Sequence, residues 1–352
     1  MTESRSRRLA HAKRAAIASS QPEPGGTVVP SPLDSIRSVV ADDLPLVDQV
    51  ICDRLRSDVA LIDQVSHYIV NSGGKRLRPL LVLIAARACE YREHRHAEAA
   101  AIIEFIHTAT LLHDDVVDAS ALRRGQDTAN IVWGNQASVL VGDFLYSRAF
   151  QMMVDIGDMR IMEVLADATN TIAEGEVLQL RHCRDADTTE ERYLQVIYRK
   201  TAKLFEAGVR IAAILARSRP EIEEALIGYG RHLGNAFQLI DDALDYSASS
   251  DSLGKNIGDD LAEGKPTLPL IHAMQKGNDA QRALIRDAVE RTGRARIGEI
   301  NRAIESTRAL EYTARFARRE SAAAVTALEP LPASKYKDAL VALAEFAVER
   351  GN

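Results

Sequence analysis

Aromatic side chains make up only 5% of the 352 residues, and the 20 glycines and 11 prolines fall mostly between periodic stretches instead of inside them. Sheets favour aromatic and β-branched residues, whereas alanine and leucine dominate the periodic segments here, so the chain reads as helical. Cysteine is nearly absent: Cys52, Cys89 and Cys183 are far apart and form no CxxC pair. That excludes a disulfide framework or a cysteine zinc site and points to a reducing compartment, the cytoplasm. There is no excess of positive charge. The net charge of -6 and pI near 5.9 argue against a general nucleic-acid binder, which would need a basic surface to neutralise phosphates. Purely apolar runs stay well short of the roughly 20 residues of a membrane-spanning helix, so a soluble protein is expected. What is present is enough apolar residue, 46%, to bury a large core as one big helical domain or two smaller ones.

The most informative stretch is 107–118, His-Thr-Ala-Thr-Leu-Leu-His-Asp-Asp-Val-Val-Asp. On a helix Asp114 and Asp118 share a face one turn apart, with Asp115 about 100° round, so an acidic patch ends a hydrophobic stripe. Like charges at this spacing repel, and a buried set is costly unless cations neutralise it. One such cluster alone would be read as a solvated acidic face. A second copy, however, occurs at 237–246, Phe-Gln-Leu-Ile-Asp-Asp-Ala-Leu-Asp-Tyr, with Asp241, Asp242 and Asp245 behind a similar apolar approach. Two all-oxygen clusters on two helices suit Mg²⁺, which keeps several waters and bridges carboxylates to substrate phosphates. The pair predicts two acidic walls with a diphosphate between them.

The rest of the chain supplies cations and punctuation. Residues 1–31 open with Arg5, Arg7, Arg8, Lys13 and Arg14 and pass into Pro22, Pro24, Gly25, Gly26 and Pro30. They read as a disordered basic tail and linker, with too little amphipathic length to argue for an import signal. Helical spacing begins at Leu33, Ile36, Val39 and Val40 and continues through Leu44, Val47, Val50 and Ile51, predicting a core face or a dimer edge. At 71–79, Asn-Ser-Gly-Gly-Lys-Arg-Leu-Arg-Pro puts glycines and Lys75, Arg76 and Arg78 at the start of an apolar helix, a ready anion site. Arg123 and Arg124 come just after the first acidic helix, where guanidinium forks could meet phosphate oxygens or merely cap the helix end. Gly142 and Asp143 read as core packing round one polar residue, and 174–180 as a helix with polar residues facing inwards. Lys200 and Thr201 sit where a helix over 202–216 is expected to open. The glycine-punctuated segment 247–265 has the length and charge of a lid.

Taken together, Gly73-Gly74-Lys75-Arg76-Leu77-Arg78-Pro79, Asp114-Asp115-Val116-Val117-Asp118 with Arg123-Arg124-Gly125, Gly142-Asp143, Lys200-Thr201, Gln238 with Asp241-Asp242-Ala243-Leu244-Asp245, and Gly264-Lys265-Pro266-Thr267 resemble the trans-isoprenyl diphosphate synthases, the polyprenyl synthetase family, from about residue 33 onwards. Within that family the wording around 104–115 is most similar to the bacterial octaprenyl diphosphate synthases, which make the side chain of ubiquinone. The resemblance implies an all-α fold, a single large helical bundle over 32–352 around a deep central cavity. It implies a homodimeric prenyltransferase that adds isopentenyl diphosphate repeatedly to an allylic diphosphate such as farnesyl diphosphate, releasing a long product that is delivered to the membrane. Mg²⁺, roughly three ions per substrate-bound site, would be held mainly by Asp114, Asp118 and Asp241, with Asp115, Asp242 and Asp245 in support. Gly74, Lys75, Arg78, His107 and Arg124 would hold isopentenyl diphosphate. Arg123, Lys200, Thr201, Gln238 and Lys255 would hold the allylic diphosphate, whose departing diphosphate would take the final proton. Ala109 and Thr110, before Asp114, would leave open the passage that short-chain members block with an aromatic ring, implying a long product.

Other readings are weighed against this one. A prenyl synthase of another chain length (geranylgeranyl, solanesyl or decaprenyl) would carry the same motifs. A terpene cyclase would replace the second acidic motif, which is intact here. A ferritin-like di-iron bundle needs two Glu-x-x-His pairs on opposed helices. Glu93 with His96 and Glu104 with His107 have the spacing but lie too close together, and they leave both aspartate clusters unexplained.

Overall fold

A computed structural model describes residues 31–71, 74–247 and 257–349. The expected N-terminal tail up to residue 30, and Lys255, lie outside the described residues. The expectation of an all-α protein is met: among the described residues the only strands are β1 (Leu122–Arg123) and β2 (Gln126–Asp127), a hairpin pairing Leu122 with Asp127. Its two-residue turn, Arg124 and Gly125 with φ of 55° and 75°, has the left-handed backbone that tight hairpins require. Arg123 and Arg124 therefore do not simply trail off the acidic helix.

The first helix, α1 (Pro32–Ser38), starts at a capping box in which Ser31 and Asp34 satisfy each other's backbone amides, with Pro32 in the first turn. It and α2 (Leu44–Leu55) bury Leu33, Ile36, Val47, Ile51 and Leu55, so the spacing read from Leu33 onwards marks a core face. After α3 (Ala60–Asn71) comes α4 (Leu77–Ala88), buried from Leu80 through Ala86 without a break. A helix apolar all round must be surrounded. It packs against α5 (Arg95–Val117), α10 (Lys203–Leu215) and α17 (Lys335–Glu349). The chain continues through α6 (Ala129–Trp133), α7 (Asn135–Ile156), α8 (Met159–His182) and α9 (Glu190–Ile197).

Between α9 and α10 the residues Tyr198–Ala202 wind as a π-turn. Lys200 and Thr201 thus do not open a new helix, as expected from sequence; they sit in the middle of a long one, on its one irregular turn. The long helix α11 (Pro220–Leu244) then packs on α10 and on α16 (Ala309–Ala327). Four shorter helices, α12 (Asp259–Ala262), α13 (Leu268–Lys276), α14 (Asp279–Asp287) and α15 (Ile297–Ser306), build a smaller apolar cluster round Leu261, Leu270, Ile285 and Ile300 beside the main core. No helix among the described residues is long and apolar enough to cross a membrane.

Candidate active site

Both acidic clusters occupy the last turn of their helices. Asp118 is the C-terminal cap of α5 and Asp245 that of α11. A helix C-terminus carries partial negative charge and favours cations, so three carboxylates there are doubly unfavourable without counter-charge. For the α5 cluster the fold supplies it. On α5, Lys200 Nζ stands 3.5 Å from Asp114, Lys265 Nζ donates to Asp118 at 2.7 Å, and Arg123 grips buried Asp115 through Nη2 at 2.7 Å and Nε at 3.0 Å. Burial pushes the Asp115 carboxyl up, against the pull of Arg123.

On α11, Asp241 faces the cleft, while Asp242 is buried and accepts from Tyr193 Oη at 2.6 Å and from Gln238 Nε2 at 2.7 Å. Burial and the charge of Asp260 raise its pKa above that of an ordinary carboxylate. Asp245 accepts from the amides of Asp259 and Asp260 at 3.2 and 3.3 Å, which ties the end of α11 to the start of α12. Gln238 Oε1 also takes the Thr201 hydroxyl at 2.9 Å, so Thr201, Gln238 and Asp242 form one hydrogen-bonded row. Of the expected allylic-diphosphate ligands, Lys200, Thr201 and Gln238 line one cavity of about 130 Å³ together with Asp242 and Lys265. Arg123 is not with them; it stays on Asp115.

Adjoining that cavity along Gln238, Asp242 and Asp260 lies an open cleft of about 490 Å³, which brings together Gly74, Lys75, Arg78, His107 and Arg124, the residues expected to hold isopentenyl diphosphate, with Asp241 and Asp245. Arg78 is half-buried over the Phe205 ring, 4.6 Å from its centroid, and donates through Nη1 to His107 Nε2 at 3.0 Å. Burial pushes its pKa down to about 10, against the pull of Glu104 and Asp241, so it remains a cation. Burial, with Arg78 beside it, holds His107 well below the ordinary histidine range. The ring is therefore neutral and accepts from Arg78. Gly74 has φ of 147°, and a Cβ there would come within 2.5 Å of Arg124 Nη1, so only glycine lets this loop close on the guanidinium. Lys75 lies 5.4 Å over the Phe346 ring.

Among the described residues no group of three His, Cys, Asp or Glu side chains could hold a metal ion alone. The clusters nonetheless fit Mg²⁺ in the form expected, one or two carboxylates each with the remaining oxygens from water and diphosphate. The present partners of the α5 cluster, two lysines and an arginine, show that this wall takes positive charge. His96 and His107, the histidines of the di-iron alternative, both sit on α5, with His96 Nε2 2.9 Å from Asp43 and His107 on Arg78. They cannot oppose each other across a metal. Ala109 is fully buried in the core, and Thr110 is half-buried with its hydroxyl donating to the His107 carbonyl at 2.7 Å. Neither is among the residues lining the cleft.

The geometry has close parallels. The polyprenyl synthetase family model matches residues 59–307. The chain belongs to the polyprenyl synthetase family. As a polyprenyl synthetase it is a prenyltransferase. It is 53% identical to the octaprenyl diphosphate synthase of Escherichia coli K12 over 319 residues, 90% of this chain and 99% of that one. It is 50% identical to a geranyl-diphosphate-specific all-trans-nonaprenyl-diphosphate synthase of Rhodobacter capsulatus, over 90% and 97% of the two chains. A polyprenyl synthase of Caulobacter crescentus, crystallised with calcium and isoprenyl diphosphate, superposes with a TM-score of 0.88 at 42% identity, covering 94% of this chain and all of that one.

Four residues of this polyprenyl synthetase's site escaped the sequence reading. Glu176 and Gln179 of α8 accept from Lys200 Nζ at 2.7 and 2.8 Å, and Lys265 and Tyr193 hold Asp118 and Asp242. Inward-facing polarity at 174–180 and the lysine at 265 were visible signals; the partners were not.

Proposed function

We propose that this polyprenyl synthetase joins isopentenyl diphosphate repeatedly to an allylic diphosphate such as farnesyl diphosphate and releases octaprenyl diphosphate for a quinone side chain. The observation that carries the reading is the division of the site. One cleft gathers Lys75, Arg78 and Arg124 beside a neutral His107, and a second cavity gathers Lys200, Thr201 and Lys265. The two share Gln238, Asp242 and Asp260 as a common wall, and Lys200 and Lys265 of the second reach Asp114 and Asp118 of α5. Two anionic substrates can therefore be held apart by cations while their reacting ends meet, and holding reactants in this way removes much of the barrier.

Asp114, Asp118 and Asp241 would hold Mg²⁺, with Asp115, Asp242 and Asp245 in support. When bound, the ions supply positive charge to the departing diphosphate of the allylic substrate. Lys200 adds fixed charge at the same diphosphate, Arg123 contributes from its place on Asp115 of the α5 cluster, and the apolar core round α4 and α5 keeps water from the cationic carbon. The octaprenyl length rests on identity to the E. coli enzyme and on the small residues Ala109 and Thr110 one to two turns before Asp114.

We further infer that the whole of 32–352 works as one catalytic domain and that two copies associate. Ile131 and Val132 on α6, Val139, Leu140, Phe150 and Val154 on α7, and Met159, Val177 and Leu180 on α8 are all exposed, an apolar stripe that a second copy would cover. Cys52, Cys89 and Cys183 are free thiols, in keeping with a cytoplasmic enzyme whose product passes to the membrane. Mass analysis of the product made from farnesyl diphosphate, isopentenyl diphosphate and Mg²⁺ tests the reading. Octaprenyl diphosphate is expected; another length corrects the product, and no condensation overturns the function.

A further inference from the structure

Residues 190–215 would form one regular helix but for the π-turn Tyr198–Ala202. Such a turn accommodates about one extra residue and so rotates the downstream helix by about 100° relative to a regular one. Here it directs two neighbouring side chains into the site. Lys200 Nζ meets Glu176 at 2.7 Å, Gln179 at 2.8 Å and Asp114 at 3.5 Å, and Thr201 Oγ1 meets Gln238 at 2.9 Å. Two glycines touch this turn from different helices. On α8, a Cβ at Gly175 would fall 2.8 Å from the Lys200 amide nitrogen and 2.8 Å from Arg199 Cβ. On α11, a Cβ at Gly234 would fall 2.4 Å from Ala202 Cα and 2.7 Å from its Cβ. Both lie inside regular helices and neither has positive φ, so glycine is needed there for space and not for conformation.

We propose that Gly175 and Gly234 are positioning residues for the allylic diphosphate. They let α8 and α11 touch the backbone of the π-turn, and that contact sets where Lys200 and Thr201 stand. Glu176, the next residue on α8, completes the clamp by holding the Lys200 ammonium. The proposal rests on the assignment of Lys200 and Thr201 to the allylic diphosphate. A backbone displaced by a new methyl group would move both side chains together, and misplacements of this kind cost one to two orders of magnitude in rate.

The test compares Gly175→Ala, Gly234→Ala, Glu176→Gln and Lys200→Ala with Gly228→Ala in the full-length enzyme, with circular dichroism on each. Gly228 is the control, because its added Cβ would meet only Ala327 Cβ at 3.4 Å, an ordinary contact. Steady-state kinetics are recorded with each substrate varied in turn. The two glycine variants and Glu176→Gln are expected to raise KM for the allylic diphosphate at least about tenfold and to leave KM for isopentenyl diphosphate within about twofold. Added to Lys200→Ala, Gly175→Ala should cost less than it does alone, because part of its effect acts through the same ammonium. Equal rises in both KM values, fully additive losses, or wild-type kinetics in a folded glycine variant overturn the proposal. Glu176→Gln introduces no added bulk and decides the matter if the glycine variants do not fold. An unchanged allylic KM in Lys200→Ala overturns the subsite assignment and this proposal with it; a raised KM there beside wild-type glycine variants overturns the proposal alone.

Discussion

Lys265→Met removes one charge from between the two acidic walls and keeps most of the apolar stem. The Lys265 side chain is 11% exposed, with its ammonium 2.7 Å from Asp118 and 2.5 Å from Glu263. Burial alone would push the Lys265 pKa down, but Glu263, Asp118 and Asp260 outweigh it and hold it above the ordinary lysine value. A raised lysine pKa contributes stability that is complete below the unfolded value near 10.4 and is lost only as pH rises through the folded one, so at neutral pH the contribution is whole. Removing one partner of a fully buried pair costs about 3–5 kcal/mol. Asp118 and Glu263 keep 20% and 26% of their side-chain surface, so water screens part of this and we expect about 2–3 kcal/mol. At about 2 °C per kcal/mol for a chain of this size, Tm should fall by roughly 4–6 °C in EDTA. Calorimetry with Mg²⁺ and pyrophosphate should then recover part of the loss, because the unpaired carboxylates favour the metal more strongly in the variant. An unchanged Tm in EDTA, or the same Mg²⁺ increment in both proteins, would refute the view that Lys265 neutralises the walls.

Asp114→Ala and Asp241→Ala should each lower kcat by at least about 10²-fold while circular dichroism stays native, because charge stabilisation at the leaving group is lost; activity with unaltered Mg²⁺ dependence would contradict the assignment. Ala109→Tyr should shorten the product seen by mass spectrometry, at about 1–3 kcal/mol of overpacking in a fully buried position. A folded variant that still makes the wild-type length would place the passage elsewhere. Asp43→Asn breaks the buried contact of Asp43 with Arg87, 2.9 Å from Arg87 Nε, and with His96, and should cost about 3 kcal/mol in denaturant melts at pH 7. Burial tends to raise the Asp43 carboxyl, but Arg87 and His96 hold it below its ordinary value. The wild type should therefore lose this stability only as pH falls below about 4, where the variant's curve should be flatter.

The acidic motifs, the helical class and the cations at 75–78 were legible in the sequence because each is local. Spacing of three and four residues on one helix states which side chains share a face, and Asp114 and Asp118, or Asp241 and Asp245, carry that in five letters. Gly74 announced a close approach for the same reason, though not that its neighbour would be Arg124. Folding alone decided the partners. Lys265 reaches Asp118 across 147 residues, Tyr193 reaches Asp242 across 49, and Glu176 and Gln179 reach Lys200 from another helix. Such pairings depend on helix crossings, and nothing in either local sequence encodes the other. The π-turn shows this best. Residues 198–202 read as the opening of a helix, and their one irregular turn lies against elements packed on it from afar, Gly175 and Gly234 on two helices that reach it only in the folded chain.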